Sequence, residues 1–226
     1  MAAPRKDFDA VIFDLDCTLA DGKYTSQQAM VAVQQALPHL RDLDPVFVAP
    51  YFHPSVRHFP EQIGQERFNH HLEDAHSQIQ SSIETLRRLR QRGIPVVILN
   101  NGAQQFQTDK AREIGVLEHV DRLISSESVG CRKPSSRMFD AALESLGTQR
   151  HRTLMVGDSM ENDVLGVDKA GLRAVWYRPS SSSGGDVYGL TVIRYISDVL
   201  PLCGIGAKEE ELTENLGSLS LREEEE

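Results

Sequence analysis

The segment Ala10-Val11-Ile12-Phe13-Asp14-Leu15-Asp16-Cys17-Thr18-Leu19 begins as a strand and ends in two carboxylates. Ala10 to Phe13 is a short run of apolar, β-branched and aromatic residues, the pattern of a strand buried on both faces of a parallel sheet. Open α/β sheets bind ligands beyond the carboxyl ends of their strands, so Asp14 and Asp16 fall where an active site belongs. An aspartate after a strand is equally an ordinary turn or helix cap. What the later strands deliver separates the two readings.

Further along, apolar runs alternate with helical patterns. Ile79, Ile83, Leu86 and Leu89 mark an amphipathic helix ending at Gly93, and Ile94 to Leu99 reads as a second buried strand running into Asn100-Asn101-Gly102. A helix is expected from Ala103 to Ile114, and Leu123-Ile124 marks a third strand. A loop over 125–132 leads to Lys133-Pro134, with Pro134 expected near the first turn of a helix from Ser136 to Leu146. Thr153 to Val156 is a fourth strand ending at Gly157-Asp158, Glu161 to Ala170 a helix, and Ala174 to Tyr177 a fifth strand. Ser180 to Gly185 reads as a flexible loop, and Thr191 to Leu202 as a last strand and helix. This alternation predicts an α/β fold: a Rossmann-like parallel sheet with helices on both faces.

The strands end in complementary groups. Asp14 and Asp16 follow the first, Asn100 and Asn101 the second, Lys133 the loop after the third, and Asp158, with Asn162 and Asp163 beyond it, the fourth. Adjacent strands lie about 4.8 Å apart, so these groups can converge at one sheet edge. Carboxylates with an ammonium suit a divalent cation and a phosphate, and oxygen donors of this kind are what Mg²⁺ prefers. Asp14 is then placed to attack phosphorus. Asp16 is placed to protonate the leaving oxygen and deprotonate water. Lys133 offsets charge on the phosphoryl oxygens.

The set Asp14-x-Asp16-x-Thr18, Asn100-Asn101-Gly102, Lys133-Pro134 and Gly157-Asp158-Ser159-x-x-Asn162-Asp163 resembles the four motifs of the haloacid dehalogenase superfamily over roughly residues 8 to 200. The likeness is to the phosphatase branch, pyrimidine 5'-nucleotidase and phosphoglycolate-phosphatase-like members in particular. The resemblance implies that Asp14 is the nucleophile and a Mg²⁺ ligand, and that Asp16 is the acid/base and binds the metal through its carbonyl. It further implies that Asp158 is the remaining protein ligand, with Asp163 and Asn162 holding metal-bound water or the lysine. Thr18, Asn100, Asn101 and Lys133 would bind the substrate phosphate. Two positions depart from the pattern. Asn100 stands where Thr or Ser is usual, and its amide can donate the same hydrogen bond. Cys17 stands where Gly is common, as a small buried thiol or an oxidation-sensitive one.

The same resemblance divides the chain into a catalytic core at 1–19 and 79–204 and a helical cap at 20–78. Residues 205–226 are expected to form a disordered acidic tail. The cap holds six of the eight histidines (His39, His53, His58, His70, His71 and His76) without a metal-ligand spacing, together with Arg41, Arg57 and Arg67. Such a cap would choose the substrate.

Composition narrows the classes. The 226 residues suffice for a full core. Of the net charge of −9, the stretch from Lys208 to Glu226 supplies −6, which leaves no basic surface for nucleic acid or anionic membrane. No apolar run approaches the roughly 18 residues of a membrane span, and no apolar segment precedes the first strand, so no signal peptide is expected. Three widely spaced cysteines, Cys17, Cys131 and Cys203, fit neither a disulfide framework nor a zinc site and suit a reducing, cytoplasmic setting. The expected function is Mg²⁺-dependent hydrolysis of a small phosphorylated metabolite, such as a nucleoside monophosphate, phosphoglycolate or a sugar phosphate. A 2-haloacid dehalogenase, a phosphomutase and a non-catalytic phospho-ligand-binding protein are the alternatives. Asp16 argues against the dehalogenase, which lacks a second aspartate in the first motif.

Overall fold

The structure, a computed structural model, describes residues 7–20, 65–179, 185–187 and 189–206, with side chains from 77 onward in the second stretch. Its strands are β1 (Ala10–Phe13), β2 (Val96–Asn100), β3 (Arg122–Ser125), β4 (Thr153–Gly157), β5 (Arg173–Tyr177), β6 (Gly185–Val187) and β7 (Leu190–Ile193). They form one sheet in the order β3-β2-β1-β4-β5-β7-β6, parallel except for the β6–β7 pair. The chain lays down β1, β2 and β3 toward one edge and then returns to place β4 on the other side of β1. The crevice where strand order reverses, between the ends of β1 and β4, is where sheets of this kind bind ligands.

Burial follows the pleat. Val11, Phe13, Ile98, Leu154 and Val156 pack on one face, with Leu86 and Leu89 of helix α1 (Gln65–Gln91). Ile12, Val97, Leu99 and Met155 pack on the other. There they meet Met138 and Phe139 of a helix spanning Ser136–Leu146 and Val167 of a short helix spanning Leu165–Ala170. Both faces of β1, β2 and β4 are covered, which is why these strands read as continuous apolar runs. No helix among the described residues is long and apolar enough to cross a membrane.

The local expectations change in several places. The helix carrying Ile79 to Leu89 begins well before residue 78, at Gln65, so the expected cap–core boundary falls within α1. Gly93, at φ +65°, ends that segment after α1, as the sequence suggests. The 125–132 loop contains a single helical turn, α2 (Ser126–Val129), closed by the Ser125 side chain accepting from the Ser128 N–H at 3.2 Å. The helix α3 (Gln104–Glu113) precedes it in sequence, and α4 (Ser136–Leu146) follows. Pro134 lies just before Ser135, the N-cap of α4, near the first turn as expected. The helix expected at Glu161 starts instead as a wide π-type turn at Met160–Val164 and becomes α-helical at α5 (Leu165–Ala170). At the far edge, β6 starts at the end of the expected Ser/Gly loop. Ile205 is buried and the Gly206 carbonyl accepts from Arg88 at 3.2 Å, so the expected tail is packed at its start. The rest of that tail, and the expectations for residues 21–64, lie outside the described residues.

Candidate active site

Asp14 follows β1 directly, and its backbone N–H donates to the Val156 carbonyl of β4 at 2.9 Å, which fixes the aspartate against the strand that carries Asp158. Its side chain is buried, and Oδ1 accepts from Lys133 Nζ at 2.5 Å. Lys133 is equally enclosed and donates a second bond to Asp163 Oδ1 at 2.7 Å. Asp163 is positioned by the π-type turn, where its N–H donates to the Ser159 carbonyl at 2.9 Å and its Oδ2 accepts from the Ser159 N–H at 3.1 Å. Asp14, Asp158 and Asp163 bring one carboxylate oxygen each to within 4.8 Å of one another.

Three ionised carboxylates and one ammonium leave this group with an excess of two negative charges. At an effective dielectric of about 20, two unit charges nearly 5 Å apart repel by roughly 3 kcal/mol. The ionisation equilibria reflect the imbalance. Burial first, then the neighbouring Asp163 carboxylate, push Asp14 well above the usual carboxylate range against the pull of Lys133. Burial and Asp163 likewise push Asp158 up to about 6. Burial opposes the charge of Lys133, but Asp14 and Asp163 outweigh it and hold the ammonium protonated beyond the ordinary lysine range.

A carboxyl whose pKa is raised on folding contributes most stability below its unfolded value and loses it as pH rises through the folded one. Metal-free protein should therefore lose stability as pH climbs from about 4 through about 6. Asp158→Asn should flatten that loss, with a higher melting temperature than the parent at pH 7.5 and none at pH 4, read by thermal melts in EDTA. An unchanged pH profile would show that Asp158 does not carry the strain.

The other expected site residues are placed as follows. Thr18 is fully buried, donating to Asp14 Oδ2 at 3.3 Å and accepting from the Asp158 N–H at 3.1 Å. It braces the two aspartates against each other from a buried position. Asp16 turns its carboxylate away from the acidic group: Oδ2 accepts from Asn100 Nδ2 at 2.8 Å and Oδ1 from Lys110 Nζ at 2.6 Å. Asn100 also accepts from the Asn101 N–H at 3.0 Å, so its amide oxygen and one hydrogen of Nδ2 are engaged within the protein. The nearest anion for that amide is Asp16. Asn101 is tied to the backbone of Lys133, accepting from its N–H at 2.8 Å and donating to its carbonyl at 3.2 Å, so it reaches the site through the lysine. Asn162 donates from Nδ2 to Ser159 Oγ at 3.0 Å and so helps to hold the turn that carries Asp163. Asp163, expected behind the metal, stands among the three clustered carboxylates itself.

Two further features were not read from the sequence. Lys110 lies 94 residues from its partner, and the only local signal is that it is the single lysine of α3. Gly157, at the end of β4, is required by close approach: a Cβ there would overlap the Asp163 carboxylate. Gly157→Ala should displace Asp163 from Lys133 and lower turnover by roughly 10- to 100-fold, since about 1 Å of misplacement costs on that scale. Steady-state rates beside a crystal structure of the variant check this, and full activity with Asp163 unmoved would contradict it. Cys17 is the only non-glycine at positive φ among the described residues, at +63°, which accounts for glycine being common at that position. None of the three cysteines is in a disulfide.

A family model for haloacid dehalogenase-like hydrolases matches residues 8–171, a span that includes Asp14, Asp16, Lys110, Lys133, Asp158 and Asp163. The chain belongs to that family. Among curated relatives of this haloacid dehalogenase-like hydrolase, the ribulose-1,5-bisphosphate 5-phosphatase of Halopiger xanaduensis is 32% identical over 121 residues, covering 54% of this chain and 50% of that protein. The pyrimidine 5'-nucleotidase YjjG of Escherichia coli is 42% identical over 80 residues, covering 35% and 36% respectively. The matches thus span about a third to a half of the relatives' lengths. The solved structure of the HAD-hydrolase YfnB from Bacillus subtilis shares the fold, with a TM-score of 0.60, 20% identity, and coverage of 88% of this chain and 100% of that one.

Proposed function

We propose that this chain is a Mg²⁺-dependent phosphomonoester hydrolase acting on a small phosphorylated metabolite through an aspartyl phosphate on Asp14. The observation that carries the reading is the buried Asp14–Lys133–Asp163 arrangement beside Asp158, an all-oxygen donor set with an excess of two negative charges. Those hard oxygens, whose ionisation burial and mutual repulsion hold back, fit a divalent cation of the Mg²⁺ kind. Asp14, Asp158 and the Asp16 carbonyl would hold the ion, with Asp163 beside them. Bound there, the cation supplies the charge that admits a phosphate dianion and polarises its oxygens.

The chain's own groups then divide the work. Lys133 commits two of its three donors to Asp14 and Asp163, which leaves one for a phosphoryl oxygen. Both Asp14 oxygens accept within the protein, Oδ1 from Lys133 at 2.5 Å and Oδ2 from Thr18 at a longer 3.3 Å, so Oδ2 is the less tightly held and the one suited to form the bond to phosphorus. As that bond forms, the ester P–O bond breaks and its electron pair leaves on the substrate oxygen, which takes a proton from Asp16. Asp16 then removes a proton from water, and the water oxygen attacks phosphorus. Orthophosphate departs and the Asp14 carboxylate is restored.

The relatives are named for different substrates: a sugar bisphosphate, pyrimidine nucleotides, phosphoserine and glyceraldehyde 3-phosphate. Their shared chemistry is the phosphomonoester, and the proposal stands at that class. A panel of nucleoside monophosphates, sugar phosphates and phosphoglycolate, assayed for phosphate release with Mg²⁺ and with EDTA, tests it. Metal-dependent release is the expected result. Release unaffected by EDTA, or none from any ester by folded protein, would overturn it.

A further inference from the structure

Two aspartates separated by one residue are each paired with a lysine from a different part of the fold. Asp14 has Lys133, from the loop before α4, and Asp16 has Lys110, from α3. The two pairs differ in setting. The Lys133 and Asp14 side chains are 2% and 7% exposed, whereas Lys110 and Asp16 are 13% and 21% exposed. The inner pair is sealed and the outer one lies at the rim, open to a departing group.

We propose that Lys110 is a positioning residue for Asp16: with Asn100, it fixes the carboxylate at the rim of the site, apart from the metal-binding oxygens. This rests on the phosphatase reading above. Both Asp16 oxygens are engaged, Oδ1 by Lys110 at 2.6 Å and Oδ2 by Asn100 at 2.8 Å, so the plane of the carboxylate is set from two sides. Without these contacts, Asp16 sits two residues from Asp14 on a chain that already gathers three carboxylates within 4.8 Å. A cation bound there would draw a mobile fourth carboxylate inward, away from the leaving oxygen. Lys110 is itself located by the Phe106 ring one turn earlier on α3, whose centroid lies 4.9 Å from Nζ.

The role predicts a selective defect. A residue that places the group protonating the leaving oxygen matters most when that oxygen is basic and least when it leaves readily as a phenolate. The experiment compares wild type, Lys110→Met and Lys110→Arg on an alkyl phosphate and on 4-nitrophenyl phosphate, each also in an Asp16→Asn background. Met keeps the stem against Phe106, and circular dichroism verifies folding of every variant.

Lys110→Met should lose roughly 10- to 100-fold in kcat/KM, which reads the step that expels the leaving group, on the alkyl ester and less on the aryl ester, with the Mg²⁺ dependence little changed. Lys110→Arg should recover most of the loss. In Asp16→Asn protein, Lys110→Met should cost nothing further, because the group it places is gone. Equal losses on both esters, full activity without Lys110, or an additive loss in the Asp16→Asn background would overturn the proposal. Wild-type protein inactive on both esters would instead fail the phosphatase reading and take this proposal with it. Selective failure of Lys110 alone leaves that reading standing.

Discussion

Asp14→Asn should remove turnover by on the order of 10⁴-fold or more while leaving the metal-free protein at least as stable as the parent. The two halves follow from one observation. Asp14 offers the oxygen proposed to attack phosphorus, and an amide there can form no acyl phosphate. Yet Asp14 is also buried, beside Asp163, with an ionised form that folding disfavours. An isosteric amide removes a repelled charge, and Asp163 remains to pair with Lys133. Calorimetry in EDTA beside rates in Mg²⁺ reads both effects. A variant that is inactive only because it is unfolded would contradict the stability half. Retained turnover would remove Asp14 as nucleophile.

Lys133→Met should have the largest effect on folding. The lysine is the sole cation within hydrogen-bonding distance of Asp14 and Asp163 among the described residues, and both pairs are buried. Removing one partner of a buried ion pair costs about 3–5 kcal/mol, because the remaining charge stays desolvated and unpaired. The loss should be greatest above pH 7 and shrink in acid, where protonation relieves the stranded carboxylates. Millimolar Mg²⁺ should restore part of the stability by supplying charge to the same oxygens. Denaturant melts at pH 5 and 8, with and without Mg²⁺, measure this. A small destabilisation independent of both would mean that the lysine does not hold the cluster together.

The sequence was most informative where structure is locally encoded. The strands β1, β2 and β4 are buried on both faces, so each is a short unbroken apolar run. The carboxylates follow because they stand at strand ends, where the chain has no freedom to place them elsewhere. Asp14 and Asp158 are therefore found from pattern alone. Groups whose partners lie far along the chain were not legible. Lys110 meets Asp16 across 94 residues, and nothing in the helical pattern of α3 announces it. Asn100, Asn101 and Asn162 were found as polar residues at the right edge, but an amide can serve a ligand or the protein. Here Asn100 serves Asp16, Asn101 the backbone of Lys133, and Asn162 the hydroxyl of Ser159. The same holds for Thr18, whose hydroxyl is used up between two aspartates. The continuity of α1 is not legible because its apolar stripe is clear only from Ile79 onward. Asp163 gained importance through the π-type turn, which no periodicity distinguishes from an ordinary first helical turn.

Acid quench of the protein during turnover, followed by peptide mass spectrometry, tests the proposed chemistry at its centre. Asp16→Asn protein, slowed in breakdown of the intermediate, is the form to use, with Mg²⁺ and 4-nitrophenyl phosphate. One phosphoryl group on the peptide carrying Asp14, absent from the Asp14→Asn/Asp16→Asn double variant, is the result expected. A phosphoryl group on a different residue, or undiminished phosphate release by Asp14→Asn protein, would contradict an aspartyl phosphate at Asp14.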